Sequence, residues 1–404
     1  MNSVQPTTDA AARRNAFLLA VAQALYSSST VILITNAGLV GSMLASDQGL
    51  ATLPASTFVI GTALSTVPAS LLMGKIGRRP GFLLGALIGL GGALLAAYAI
   101  LVQSFEMFCI ATLLCGSYQA FGQYYRFAVV DTARESFKAK AISWVMIGGV
   151  ASAFIGPFLV MATRDLFAPV LFAGCFVASA GLTILAMGIL SLINIPHVKT
   201  SHSMGSGRPL STLLRQPRLI AAIVAGMMSY GMMNFVMTST PIAMVGCGLS
   251  FNAAAFVIQW HVLAMYVPSF FTGHLINRFG APRVMTAGML LLTAAATTGV
   301  SGIGMGHFTV GLILLGVGWN FGFVGATTMV TDCYRSEEKN KVQAVNDFAV
   351  FTTVAIASLS SGKLLSSLGW TAVNLAIFPM VLVVLAMLFW LKKSHGRGVG
   401  REVQ

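Results

Sequence analysis

SLLMGKIGRR, residues 70–79, returns in altered form as GHLINRFGAP, residues 273–282, 203 positions further along the chain. A leucine stands at 72 and 275, a basic residue at 75 and 278, and a glycine at 77 and 280. The same offset of 203 carries Phe105 to Phe308, Glu135 to Glu338, Lys138 to Lys341 and Ala141 to Ala344. One register held across several helix-length segments marks an internal repeat. The 404 residues therefore read as two copies of one unit.

The rest of each copy is apolar. Hydrophobic residues make up 56% of the chain and charged ones 9%, too little polar surface for a soluble domain of this size. The apolar residues come in blocks of about 20, the length that crosses roughly 30 Å of hydrocarbon as a helix. The blocks are continuous, without the alternation of a membrane β-barrel. They predict an all-α membrane protein with twelve transmembrane helices, at about 16–43, 53–73, 82–101, 105–128, 141–163, 168–193, 219–244, 251–272, 283–302, 308–330, 342–363 and 370–391. The first block is too long for a signal peptide core and is read as a helix. NIPHVKTSHSMGSGRPLSTLLRQPR, 194–218, is rich in Ser, Gly, Pro and basic residues and reads as a cytoplasmic linker. It separates an N-terminal six-helix bundle, 1–193, from a C-terminal one, 219–404.

A net charge of +13 raises the question of a nucleic-acid partner, and its distribution answers it. If the helices simply alternate, 21 of the 24 Lys and Arg fall on one side. Only Arg164 and Lys363 fall opposite, and Arg126 is left in a helix. This is the positive-inside pattern: the charge reports topology, not nucleic-acid binding, and both termini are expected in the cytoplasm. Economy of loops suggests a bacterial inner membrane. The five cysteines lack CxxC spacing and read as small buried residues. No P-loop, metal-ligand cluster or grouped nucleophile occurs, so neither an enzyme nor a cofactor is expected.

On its two repeated loops the chain resembles the major facilitator superfamily of secondary transporters, which carries G-x-L-x-D-R-x-G-R-R between helices 2 and 3 and a weaker copy between helices 8 and 9. Gly77, Arg78 and Arg79 fit the first; Gly273, Leu275, Arg278 and Gly280 fit the second. Ser70 replaces the first glycine, and Gly74 and Asn277 replace the acids. The family's loop is a conformational latch, so Arg78 and Arg278 become gating candidates while the missing acids question the usual charge relay. The resemblance further implies a monomer in which two bundles rock about a midplane site, with helices 1, 4, 7 and 10 lining the cavity.

Polar residues in those helices are the site candidates. Gln119, Gln123 and Arg126 fall at i, i+4 and i+7, one face of a continuous helix. Arg126 is read either as a fork for an anionic or imide group or as a cation that reaches the interface and pairs with Asp131. Gln23 and Tyr26 in helix 1, Tyr230 and Asn234 in helix 7, and Trp319 and Asn320 in helix 10 read as substrate contacts or as helix-to-helix hydrogen bonds. Together they suit a small-molecule substrate with polar edges and an aromatic body. His261 is either a site for a coupling proton or a neutral cross-link. Asp347 is either a proton site with a raised pKa or a gate residue paired with Lys341 or Arg335.

The expected function is secondary active transport of a small organic solute. Proton-coupled drug exporters of the superfamily carry an arginine in helix 4 and GPxxGG in helix 5; here Ser117 takes the arginine position and only Gly156 and Pro157 remain. A multidrug or metabolite exporter is therefore the alternative. QYYRFAVVD (123–131) and the stretch 239–280 resemble a bacterial branch concerned with nutrient or vitamin uptake, riboflavin included.

Overall fold

The computed structural model describes residues 9–129, 135–195, 207–335 and 338–399. Its first half runs through α1 (Asp9–Leu44), α2 (Leu53–Ile76), α3 (Arg78–Leu101), α4 (Phe105–Gly122), the single turn α5 (Tyr125–Ala128), α6 (Glu135–Thr163) and α7 (Ala173–Ser191). The second runs through the short α8 (Leu210–Leu213), α9 (Pro217–Gly246), α10 (Phe251–Tyr266), α11 (Ser269–Phe279), α12 (Ala281–Ser301), α13 (Met305–Thr331), α14 (Lys339–Leu375) and α15 (Ile377–Val399). The chain divides into two compact units, residues 1–202 with 254–259 and residues 203–253 with 260–404.

Among the described residues, nine helical runs are long and apolar enough to cross a bilayer, and the pair α10 and α11, bent by 40°, makes a tenth. One of the nine, Lys341–Lys392, is 52 residues long, which at 1.5 Å per residue is about 78 Å, more than two bilayer cores. It is two crossings, broken where Gly369 takes φ 79°. With α4, at 18 residues the length of one crossing, the twelve predicted spans are accounted for.

The sequence repeat is a repeat of backbone geometry. Gly77 ends α2 and Gly280 ends α11, with φ of 96° and 84°. That left-handed region is open to glycine and strained for other residues. Each glycine N–H closes the last helical turn, onto Met73 O at 3.0 Å and Ile276 O at 2.8 Å, again 203 residues apart. Packing repeats too: α1 lies on α6 and α7 as α9 lies on α14 and α15, and α3 lies on α4 and α7 as α12 lies on α13 and α15. Small residues bring helices together closely, as expected where lipid tails leave packing to drive association. A methyl group at Gly116 of α4 would stand 1.9 Å from Phe58 O of α2, and one at Gly61 of α2 would stand 2.1 Å from Leu113 O of α4.

Two predicted helices are not continuous. The fourth stops at Gly122, is capped by Gln123, and restarts as α5. The break turns the Tyr125 ring inward, where it is fully buried against Phe82 at 4.8 Å and Tyr26 at 5.7 Å. Burial of that ring outweighs the lost helical register. The eighth breaks at Val267–Pro268 because proline has no N–H for the ladder, and α11 then continues to Phe279.

Candidate functional site

In the first unit, Gln119 is the centre of a polar node. Its side-chain oxygen accepts from the Tyr26 hydroxyl and from the Thr30 hydroxyl at 3.0 Å. α1 thus supplies two donors one turn apart to one acceptor on α4. Tyr26 is buried, with the edges of Tyr118 and Tyr125 at 5.3 and 5.7 Å. Gln23 donates to Ser27 at 2.8 Å within α1. Beside the node, Ser29, Thr30, Cys115, Tyr118, Ser179 and Thr183 are among the residues lining a cavity of about 20 Å³, the size of one water.

Arg126 does not share a helix face with Gln119 and Gln123, as the sequence spacing predicts, because the helix ends between them. It lies in α5, exposed, with its guanidinium carbon 4.9 Å from the Phe127 ring centre. This is the geometry of a long cation reaching past apolar surface toward water. Asp131, its predicted partner, lies outside the described residues.

In the second unit the candidates separate into two groups. Tyr230 of α9 meets Trp319 and Phe323 of α13 edge-on at 5.4 and 5.1 Å, and Phe351 of α14 at 6.1 Å. Trp319 and Phe323 stack at 5.4 Å with planes 11° apart. Tyr230, Phe323 and Phe351 are half-buried, and Trp319 is buried with its indole nitrogen lacking a partner among the described residues. The other candidates hold helices. Asn234 donates to Val354 O at 3.4 Å. Asn320 spends both amide hydrogens on Met265 O and Ser269 Oγ, at 2.8 and 2.7 Å, and accepts from Thr272 at 2.6 Å. That buried asparagine satisfies the backbone freed at the α10–α11 bend, which is the helix-to-helix alternative of its sequence reading. His261 is fully buried, with Nδ1 2.8 Å from Leu312 O, and ties α10 to α13.

At the helix ends, the Arg78 guanidinium carbon lies 5.8 Å from the Tyr124 ring centre and that of Arg278 lies 5.3 Å from Phe279. Arg78 sits one residue past Gly77, and both arginines meet aromatic faces. Asp347 accepts from Asn346 at 3.1 Å, and Lys341 donates to Arg208 O at 2.8 Å. Sequence spacing singled out Glu338 only as a repeat match. In the structure it is a clamp: its oxygens accept from Arg208 N, Nε and Nη2, each at 2.8 Å, and from Arg335 N at 2.9 Å. The Arg208 guanidinium, helped by the two backbone N–H groups, holds its carboxyl well below the usual carboxylate range. Phe323 and Phe351 were also missed. Phe323 is one turn beyond Trp319 and legible from spacing; Phe351 comes from another helix and is not.

A repeated all-helical, multi-span fold with polar and aromatic clusters inside its helices is that of a membrane transporter. The sequence profile of the Major Facilitator Superfamily matches residues 17–259 and 237–403, and the chain belongs to that family. It is 49% identical over 392 residues to the riboflavin transporter RfnT of Brucella anthropi, covering 96% of this chain and 98% of that one. It is 26% identical over 401 residues to the uncharacterized MFS-type transporter YdeG of Bacillus subtilis, covering 95% and 93%. Among solved structures it resembles the nucleoside transporter NupG, with a TM-score of 0.73 at 12% identity over 94% of this chain and 99% of that one. It also resembles an auto-inhibited POT family peptide transporter, with a TM-score of 0.67 at 13% identity over 95% and 97%.

Proposed function

We propose that this transporter takes up riboflavin, or a solute sharing its flat heteroaromatic ring, across the cytoplasmic membrane. The observation that carries the reading is the 49% identity, spread over 96% of the chain, to a riboflavin transporter. The half-buried rings around Trp319 and the amide–hydroxyl node at Gln119 agree with it, since such a solute presents both an apolar plane and hydrogen-bonding edges. Tyr26, Gln119, Tyr230 and Trp319 are the substrate contacts of this reading. Arg126 acts as an interfacial anchor, and Asn234, Asn320 and His261 hold helices in place. The sequence has no nucleotide-binding loop, so the drive is secondary, with a proton as the coupling ion and a monomer as the working unit. Both termini face the cytoplasm, following the side that holds 21 of the 24 basic residues.

The test is uptake of labelled riboflavin by cells that lack their own uptake system and express this chain. Accumulation above the empty-vector control, abolished by a protonophore, is the expected result. In parallel, riboflavin at a hundredfold excess over its dissociation constant should stabilise the purified protein by about 2.7 kcal/mol. Stabilisation by cationic drugs alone, with no riboflavin accumulation, would overturn uptake in favour of the exporter.

A further inference from the structure

We propose that Tyr230, Trp319, Phe323 and Phe351 form a ring-binding subsite for a planar, carbonyl-bearing heteroaromatic ligand, with the Trp319 indole N–H as its hydrogen-bond donor. The proposal rests on the flavin-type reading above and goes further by naming which side chains take the ring and how.

The repeat supplies the first observation. At the offset of 203, Tyr230 and Phe351 correspond to Ser27 and Gly148 in the first half. α4 and α13 start after Ser104 and Gly304 and place Gly116 and Gly316 against Phe58 O and His261 O, an offset of 200, so Trp319 and Phe323 correspond to Gln119 and Gln123. There the fold is satisfied by two small residues and two glutamines: a methyl group at Gly148 would stand 2.3 Å from Ala20 O, and Gln119 accepts from Tyr26 and Thr30. The same helix arrangement is thus built without a ring at any of the four places. Packing of the fold does not demand rings at these four positions, and in the second half rings from three helices meet there.

The second observation is the state of that spot. Three of the rings are half-buried, so part of their surface remains open, while Trp319 is only 8% exposed. Its indole nitrogen is a donor with no acceptor among the described residues. An indole can only donate, and an unmet donor buried at membrane depth is destabilising. A ligand carbonyl in the ring plane would satisfy it while the ligand's faces meet the edges and planes of Tyr230, Phe323 and Phe351. Aromatic rings favour offset-stacked and edge-to-face contacts of the kind already present, at 5.1–6.1 Å between centres. A ring carrying carbonyl groups, such as an isoalloxazine, meets both requirements; a sugar or an aliphatic amino acid offers an acceptor but no aromatic plane.

The experiment measures binding to the purified full-length protein with three probes: riboflavin, lumichrome (the tricyclic ring without the ribityl chain) and ribitol (the chain without the ring). Lumichrome is expected to compete with riboflavin and ribitol is not. Trp319→Phe keeps a ring and removes the N–H, and should weaken riboflavin binding about tenfold, the loss of one hydrogen bond to a ligand. Phe323→Leu should weaken both ring probes by a similar factor. Each variant is checked for an unchanged elution profile and melting temperature. If Phe323→Leu does not fold, the probe competition on the wild type and Trp319→Phe still decide. Unchanged affinity in Trp319→Phe, or competition by ribitol and not by lumichrome, would overturn the subsite even if riboflavin binds. Binding of lumichrome but not riboflavin, lost on Phe323→Leu, would sustain the subsite and sink the riboflavin reading. Wild-type protein that binds neither ring probe would sink both.

Discussion

Glu338 holds Arg208, in the 194–218 insert, through three hydrogen bonds and accepts a fourth from Arg335 N. Arg208 also reaches Cys333 O at 3.2 Å, and its own carbonyl accepts from Lys341, so this residue is held by both side chain and backbone. The Glu338 side chain is fully enclosed, and charge-assisted bonds of this kind favour its ionised form. Because the carboxyl is held low in the folded state, its contribution to stability is present above the ordinary glutamate range, near pH 4.3. It is lost as pH falls below that range toward the depressed folded value. Glu338→Gln mimics the protonated state at every pH. The variant should melt lower than wild type at pH 7, and the gap between their melting temperatures should narrow as pH is lowered from about 5 to 3. A gap that stays constant over that range would show that the carboxylate charge is not what matters. The sequence carried half of this feature: the repeat paired Glu338 with Glu135, but Arg208 lies 130 residues away and no local pattern joins the two.

Helix ends and helix contacts follow local rules where backbone chemistry decides, and long-range rules where rings do. Gly77 and Gly280, marked in the sequence only as repeat positions, stop their helices because only glycine accepts their φ without strain. Pro268 breaks the ladder, but the apolar run continues across it, so the sequence predicts one helix and hides the 40° bend. The stop at Gly122 could not be read, because the ring of Tyr125 finds Phe82 on α3 and Tyr26 on α1 only after folding. Contacts between α2 and α4 rest on Gly61 and Gly116, each within about a van der Waals radius of the other helix's backbone once a methyl is added. Gly116→Ala should force the two helices apart and lower stability by about 1–3 kcal/mol, the usual cost of overpacking. Thermal unfolding in detergent checks it. Gly181 has open space at its side-chain position and serves as the control: Gly181→Ala should leave the melting temperature near wild type.

The whole chain is organised by the membrane, and its native cysteines give a probe of its orientation. Cys247 follows α9 and is exposed, whereas Cys175 and Cys333 are buried and Cys109 and Cys115 half-buried. If the termini are cytoplasmic, the far end of α9, the seventh crossing, faces outward. A membrane-impermeant maleimide should then label Cys247 in intact spheroplasts, and Cys247→Ser should remove most of the label. Labelling that appears only after permeabilisation would invert the topology.

The sequence by itself determined the class of protein, the repeat and the number of crossings. These depend on composition and on stretches of about 20 neighbouring residues, whose transfer into hydrocarbon is a local property. It also marked most of the polar and aromatic residues now seen at the Gln119 node and the Trp319 cluster. Only the tertiary structure decided which of them work together. Arg126 left the glutamine face because α4 ends early, and Asn320 went to the α10–α11 bend because freed backbone groups in a membrane must be satisfied. Trp319, Phe323 and Phe351 gather around Tyr230 because three helices, up to 121 residues apart in the chain, bring their ring centres within 6.1 Å of it. Contacts of that kind are set by how helices pack, and packing is a property of the folded chain, not of any segment of it.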